Sequence, residues 1–98
     1  MEVRFEHGQE FNVKIIGRLD TVTSAQFDQA IKSETITESK VVLDFSEVEY
    51  ISSAGLRVLL ALKRELDDAG KEMEIHHINA VVREIFGVTG FINVLTVK

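Results

Sequence analysis

Hydrophobic and polar residues alternate twice near the start of the chain, first over residues 3–6 and again over residues 11–15. Alternation with a period of two is typical of strands that bury one face. His7-Gly8-Gln9 separates the two stretches, and glycine suits a turn because it takes positive φ readily. We therefore predict an antiparallel hairpin at this end of the chain.

Three stretches with helical periodicity follow, separated by strand-like stretches. Their apolar faces consist of Phe27, Ala30 and Ile31 in the first and Val82, Ile85 and Phe86 in the third. That of the second consists of Leu56, Leu59, Leu60 and Leu66, with Val58 and Leu62 widening the stripe. Thr23 and Gln26 have the spacing of a capping box, and Asn79 suits an N-cap. Gly70 is expected to end the second helix, and Gly87 with Gly90 the third.

The strand-like stretches predict the architecture. Lys40–Phe45 is mostly apolar and β-branched at its start, so we predict a central strand buried on both faces, followed by a loop from Ser46 to Ser53. Further strands are expected over the stretch marked by Met73, Ile75 and Ile78 and over Ile92–Val97. Because strands that alternate with helices need crossover connections, we predict an α/β fold. It has a mixed, mostly parallel sheet of about five strands, an N-terminal antiparallel hairpin and three helices, all in one domain over residues 1–98.

Charge and composition exclude several classes of function. The chain has 98 residues, with 11 basic and 16 acidic side chains and a net charge of −5. Nucleic acids and anionic membranes bind to basic faces, so we expect neither as a direct partner. No cysteine is present, and the first residues lack the apolar run of a signal peptide. These features indicate a cytoplasmic protein.

No pattern for catalysis or metal binding is found. The chain lacks both the phosphate loop G-x-x-x-x-G-K-[ST] and the dinucleotide motif G-x-G-x-x-G. His76 and His77 are adjacent in a predicted strand, so we expect them on opposite faces, where they cannot share a metal ion. Ser53 lacks the glycine two positions earlier that a nucleophile elbow requires, since residue 51 is Ile. We therefore predict no catalytic and no metal-binding residues.

Two serines precede the leucine-rich helix. Ser53 is placed to be its N-cap, which would stabilise the helix by about 1 kcal/mol. One cap is enough for a helix, yet Ser52 stands beside it, and Gly55 in the first turn costs about 1 kcal/mol of helix propensity. Gly55 therefore indicates either close approach of another molecule or tight packing within the fold. A phosphate on Ser53 would meet the positive end of the helix dipole.

Taken together, four segments resemble the STAS domain family, the bacterial anti-sigma factor antagonists. The segments are Gly17-Arg18-Leu19-Asp20, Val41–Phe45, Ser52–Leu56 and Thr89-Gly90-Phe91. Each is short, but they occur in the family's order over essentially the whole chain. The resemblance implies the STAS fold and a role in partner switching.

In that role the unmodified antagonist binds an anti-sigma factor that is also a serine kinase, and the sigma factor is released. The resemblance implies that the kinase, with its own ATP and Mg²⁺, phosphorylates Ser53 and so ends binding, and that a phosphatase resets the switch. The antagonist needs no cofactor of its own. The partner-facing surface carried over from the family consists of Asp20, Thr21, Ser52, Ser53, Ala54, Gly55, Leu56 and Arg57.

Two positions depart from the family pattern. Phosphorylated members usually have Asp before the target serine, where this chain has Ser52, so Ser52 is a rival site. They often have Gly where this chain has Arg57, which lies four residues after Ser53 and could reach a phosphate there. We also expect four acids to surround Ser53, namely Asp20, Asp44, Glu47 and Glu49.

Two other functions remain open at this point. STAS domains also serve as non-phosphorylated subunits of transport assemblies, including lipid transporters, and Ser53 would then be a contact residue or only a cap. A nucleotide-binding sensor is the third reading, with little support because no phosphate loop is present.

Overall fold

The computed structural model describes all 98 residues. In chain order the elements are β1 (Glu2–Glu6), β2 (Phe11–Leu19), α1 (Thr21–Lys32), β3 (Lys40–Ile51), α2 (Ser53–Asp68), β4 (Glu72–His76), α3 (Ala80–Thr89), a 3₁₀ turn (Phe91–Asn93) and β5 (Thr96–Val97). Apart from the 3₁₀ turn, this is the predicted order of strands and helices. None of the helices combines the length and the apolar character that crossing a bilayer requires.

The five strands form one sheet in the order β1-β2-β3-β4-β5, so each strand pairs with its neighbours in sequence. β1 and β2 are antiparallel, and the other three pairs are parallel. Every parallel pair is joined through a helix because the chain must cross back over the sheet to keep its direction. The predicted fold class is confirmed.

One face of the sheet and the three helices share a single core. In β2 the side chains of Phe11, Val13 and Ile15 are fully buried, and the intervening Asn12 is exposed. The helices contribute Phe27 and Ile31 from α1, Leu56, Leu59, Leu62 and Leu66 from α2, and Val82 and Phe86 from α3. In α2 the buried stripe includes Leu62, which was expected to widen it, whereas the predicted Leu60 is half-buried.

The opposite face of the sheet carries charged side chains. Glu74 lies among Lys40, His76 and Lys98, at N–O distances of 2.9, 2.9 and 3.0 Å. Hydrogen bonding from His76, followed by that from Lys40, lowers the pKa of Glu74 to about 2. Val42 of β3 is buried on this side at 4% exposure. The prediction of a central strand buried on both faces therefore holds for Val42 but not for the half-buried Asp44.

Three strands differ in length from the prediction. β4 ends at His76, before the expected Ile78, because His77 has a left-handed backbone. β3 continues to Ile51, where a loop was expected from Ser46 onwards. The reason is that the β2–β3 register shifts twice, which interrupts strict alternation and leaves Val48 and Ile51, three residues apart, both buried. β5 has only two residues, because α3 continues through Gly87 to Gly90 (φ 80°) and a 3₁₀ turn takes up the next three.

Candidate functional site

The carboxyl ends of β2 and β3 lie side by side and lead directly into α1 and α2. Leu19 pairs with Ile51 across the two strands, and the Ser52 backbone N–H donates to the Leu19 carbonyl at 2.8 Å. The next residue in each strand, Asp20 and Ser52, is the N-cap of the following helix. Two helix N-termini therefore open at the same edge of the sheet, where α/β proteins commonly place their functional loops.

α1 begins with a complete capping box. The Asp20 carboxylate accepts from the backbone N–H groups of Val22 and Thr23 at 3.0 and 2.9 Å, and Thr23 Oγ1 accepts from the Asp20 N–H at 2.9 Å. The bond from the Thr23 N–H is the main reason that the pKa of Asp20 lies below its ordinary value. The predicted box from Thr23 to Gln26 is wrong, since Thr23 is instead the last residue of a box that starts at Asp20.

α2 begins one residue earlier than expected. Ser52 is its N-cap, with Oγ accepting from the Gly55 N–H at a long 3.4 Å, and Ser53 is the first helical residue. The prediction that Ser53 caps the helix is therefore wrong. The shift arises because β3 extends to Ile51 and leaves only Ser52 between strand and helix. Ser53 is exposed, and its hydroxyl makes no hydrogen bond within the chain.

Gly55 allows α2 to lie directly on the ends of β2 and β3. A Cβ atom at this position would lie 2.6 Å from Ile51 Cγ1 and 3.1 Å from both the Cβ and the carbonyl oxygen of Leu19. Such distances leave no room for alanine unless the neighbours move. Of the two explanations for this glycine, the structure supports tight packing within the fold.

The eight residues expected at the partner-facing surface differ in exposure. Those with exposed side chains are Thr21, Ser53 and Arg57; those that are half-buried are Asp20, Ser52 and Ala54; and those that are buried are Gly55 and Leu56. The two buried residues face inward, so in this structure they position the helix start and do not themselves form its surface.

Residues 4–96 match the family model described as "Mlab, STAS domain". The chain belongs to the STAS domain family. It is 35% identical over 80 residues to BtrV of Bordetella bronchiseptica, a proposed anti-sigma factor antagonist, and the match covers 82% of this chain and 63% of BtrV. The chain thus spans less than two thirds of the length of that relative.

Solved structures of anti-sigma factor antagonists share this STAS fold. One from Mycobacterium paratuberculosis superposes with a TM-score of 0.86 at 24% identity, covering 98% of this chain and 83% of the other. SpoIIAA of Bacillus superposes with a TM-score of 0.82 in its unphosphorylated form, at 17% identity and covering 99% and 88% of the two chains. Its phosphorylated form gives 0.73 at 16% identity, covering 99% and 91%.

Of the four acids expected around Ser53, two have other partners in this STAS domain. The Asp44 carboxylate accepts from the Ser46 N–H at 2.9 Å, which helps to lower its pKa, and Glu47 pairs with Lys14 at 2.8 Å. With about 3.3 Å per strand residue, Asp44 lies on the order of 20 Å from the end of β3. Asp20 stands at the helix starts as the N-cap of α1, and Glu49 is exposed in β3 two residues before its end.

A cation–π pair on the same edge was missed by the sequence analysis. The guanidinium carbon of Arg18 lies 4.8 Å from the centre of the Tyr50 ring. Arg18 and Tyr50 pair across β2 and β3, one residue before the pair Leu19 and Ile51. Arg18 lies within a segment that carries the family resemblance, and Tyr50 lies two residues before another, but the strand register that brings them together is not visible in the sequence.

The two adjacent histidines do not occupy opposite faces of a strand. His77 lies beyond β4 with a left-handed backbone (φ 63°), and its ring meets that of His76 edge-on at 5.8 Å. Each ring contacts a different carboxylate, Glu74 for His76 and Asp44 for His77. No group of three or more potential ligand side chains in the chain is arranged to hold a metal ion.

Proposed function

We propose that this STAS domain is an anti-sigma factor antagonist whose binding is ended by phosphorylation of Ser53. The unmodified chain binds an anti-sigma factor that is also a serine kinase, and the sigma factor is released. The kinase supplies ATP and Mg²⁺, and a phosphatase restores the unmodified form. Support for the general role comes from BtrV, and the structures of SpoIIAA support the fold that the role requires.

The observation that carries the choice of residue is the difference between the two neighbouring serines. The Ser52 hydroxyl is half-buried and occupied as the helix cap, whereas the Ser53 hydroxyl is exposed and unbonded. A hydroxyl that attacks a γ-phosphate must be reachable and free to turn toward it. These conditions favour Ser53 over its rival Ser52.

Phosphorylation at this position would change the surface without unfolding the helix. A phosphate adds about −1.5 to −2 charges, and the N-terminus of α2 stabilises negative charge. It would stand beside the ionised Asp20, so that the net charge of −5 becomes about −7. A partner surface that fits the neutral serine would then meet repulsion and a costly desolvation, and it would dissociate.

Incubation of the chain with its cognate kinase and Mg-ATP, followed by mass-spectrometric mapping, tests the site. We expect phosphate on Ser53, none in Ser53→Ala and continued labelling in Ser52→Ala. Thr21 is a matched control because it is exposed and is the first residue of α1, as Ser53 is of α2. Thr21 should carry no phosphate in the unchanged chain, although its side chain is exposed as that of Ser53 is. Label on Ser52 or Thr21, or no label at all, would contradict the proposal.

The same variants report on release. Ser53→Ala should bind the anti-sigma factor permanently, since no phosphate can be added, and Ser53→Asp should bind more weakly because of its negative charge. Calorimetric titration before and after kinase treatment measures both.

A second function rests on the departures at Ser52 and Arg57 from the phosphorylated members of the family. A STAS domain without a substrate serine would be a constitutive subunit of a transport assembly. Co-purification from the native cell distinguishes the two, because a transport ATPase would favour the subunit and a kinase with its sigma factor would favour the antagonist.

A further inference from the structure

A groove runs between α1 and α2 and opens beside Ser53. Thr21, the first residue of α1, and Ala54, the second residue of α2, lie at this end of the groove. Alanine side chains at Ala25, Ala54 and Ala61 keep it open, because they are too short to fill the space between the helices. A partner that covers Ser53 would therefore also cover the mouth of this groove.

The groove contains a buried hydroxyl that has no protein partner. Ser24 is 1% exposed, and its Oγ is the one buried side-chain polar atom in the chain that makes no hydrogen bond. Ser24 lines the groove. A buried hydroxyl without a partner is unfavourable, so this atom is a donor available to something that enters the groove.

The groove also contains a positive charge that the chain does not balance. Arg57 lines it, is exposed and makes no ion pair. The other two charged residues of the groove, Asp28 and Lys32, pair with each other at 2.9 Å and so largely cancel. Arg57 therefore leaves an excess of positive charge in the same groove as the free hydroxyl donor of Ser24.

We propose that this groove receives an acidic side chain of a protein partner, whose carboxylate is bound by Arg57 and by the Ser24 hydroxyl. A carboxylate has several acceptor sites and no donor, which complements a guanidinium and a hydroxyl. The proposal takes from the proposed function only that a protein covers the Ser53 surface, and it requires no phosphorylation.

The test compares two small probes of nearly identical shape by NMR titration of the isotope-labelled chain. N-acetyl-L-glutamate methylamide carries the carboxylate, and N-acetyl-L-glutamine methylamide replaces it with a neutral amide. We expect saturable shifts of groove resonances with the first probe and about tenfold weaker binding of the second, which is typical for loss of a hydrogen bond to a charged group. Arg57→Gln should abolish the preference, whereas Arg64→Gln should not, because Arg64 is exposed on the same helix but does not line the groove.

Thermal unfolding of Ser24→Ala separates a binding role of the hydroxyl from a structural one. We expect this variant to bind the carboxylate probe several-fold more weakly and to unfold at the same or a higher temperature, because no internal hydrogen bond is lost. A lower unfolding temperature, equal binding of the two probes, or no saturable shift in the groove would overturn the proposal. Because neither probe involves the kinase, failure here leaves the result at Ser53 unaffected.

Discussion

α1 and α2 begin side by side at one edge of the sheet, yet their first turns are held in place by different means. At α1 a carboxylate accepts two backbone hydrogen bonds, and Thr23 Oγ1 accepts a third from the Asp20 N–H. At α2 the Ser52 hydroxyl accepts a single bond at 3.4 Å, and the first turn is held mainly by the contact of Gly55 with Leu19 and Ile51. Hydrogen bonds hold the start of α1, and close packing holds the start of α2.

This difference shows how a modifiable residue can be presented on a rigid backbone. Because packing beneath the helix holds the first turn of α2, the Ser53 side chain is not needed to hold it. Its hydroxyl is left free, while the backbone around it remains ordered. At α1 the equivalent exposed hydroxyl belongs to Thr21, beside a carboxylate whose Oδ1 accepts the backbone bonds of the cap.

The largest effect on this comparison is expected from Gly55→Ala. The added methyl group would lie 2.6 Å from Ile51 Cγ1. The Ile51 side chain is buried and β-branched, so it has little room to move. We expect a loss of stability of about 1–3 kcal/mol, despite the better helix propensity of alanine. Denaturant unfolding measures the loss.

Gly87→Ala is the matched control for that change. Gly87 is also inside a helix, has no positive φ, and no atom lies within 4 Å of the position its Cβ would take. This variant should gain about 0.5–1 kcal/mol. If both variants gained stability, packing would not be what holds the start of α2.

A smaller effect is expected when the two caps are removed one at a time. Asp20→Ala loses two bonds to a charged acceptor, whereas Ser52→Ala loses one long bond to a neutral acceptor. We expect Ser52→Ala to cost about 0.5 kcal/mol, at the lower end for caps. Asp20→Ala should lower the melting temperature by at least twice as much as Ser52→Ala does. Calorimetric scans at neutral pH measure both, and equal losses would contradict the contrast between the helix starts.

The sequence pattern was sufficient for the fold. Alternation and helical periodicity predicted the order of elements, and the segments around Asp20 and Ser53 indicated a candidate site, whose residues the structure places at one edge of the sheet. These features depend on local periodicity and on short motifs, both of which can be seen in one chain.

The details of the site depend on strand register, which the sequence pattern did not show. The two bulges between β2 and β3 lengthen β3, and that extension moves the cap from Ser53 to Ser52. The same register brings Arg18 over Tyr50 and separates Asp44 from the helix starts. The burial of the Ser24 hydroxyl without a hydrogen-bond partner depends on how α1 and α2 pack, which local periodicity does not predict.

The smallest effect concerns Ser52→Asp, which gives α2 the kind of cap that α1 has. We expect a gain of about 0.5 kcal/mol at neutral pH, since a carboxylate at an N-cap interacts with both the free N–H groups and the helix dipole. The gain should depend on pH in the way that the contribution of Asp20 does. A carboxyl whose pKa is lowered by folding stabilises fully above its unfolded value, 3.8 for Asp20, and this contribution is lost as the pH falls through the folded value.

Unfolding of Ser52→Asp, Asp20→Asn and the unchanged chain between pH 7 and pH 2 would measure that dependence. The advantage of Ser52→Asp over the unchanged chain should vanish in acid, and so should the advantage of the unchanged chain over Asp20→Asn. The unchanged α2 start has a hydroxyl cap that does not titrate in this range, so Ser52→Ala should cost the same at every pH. A cost that grew or shrank with pH would mean that an ionised group, and not the hydroxyl of Ser52, stabilises the start of α2.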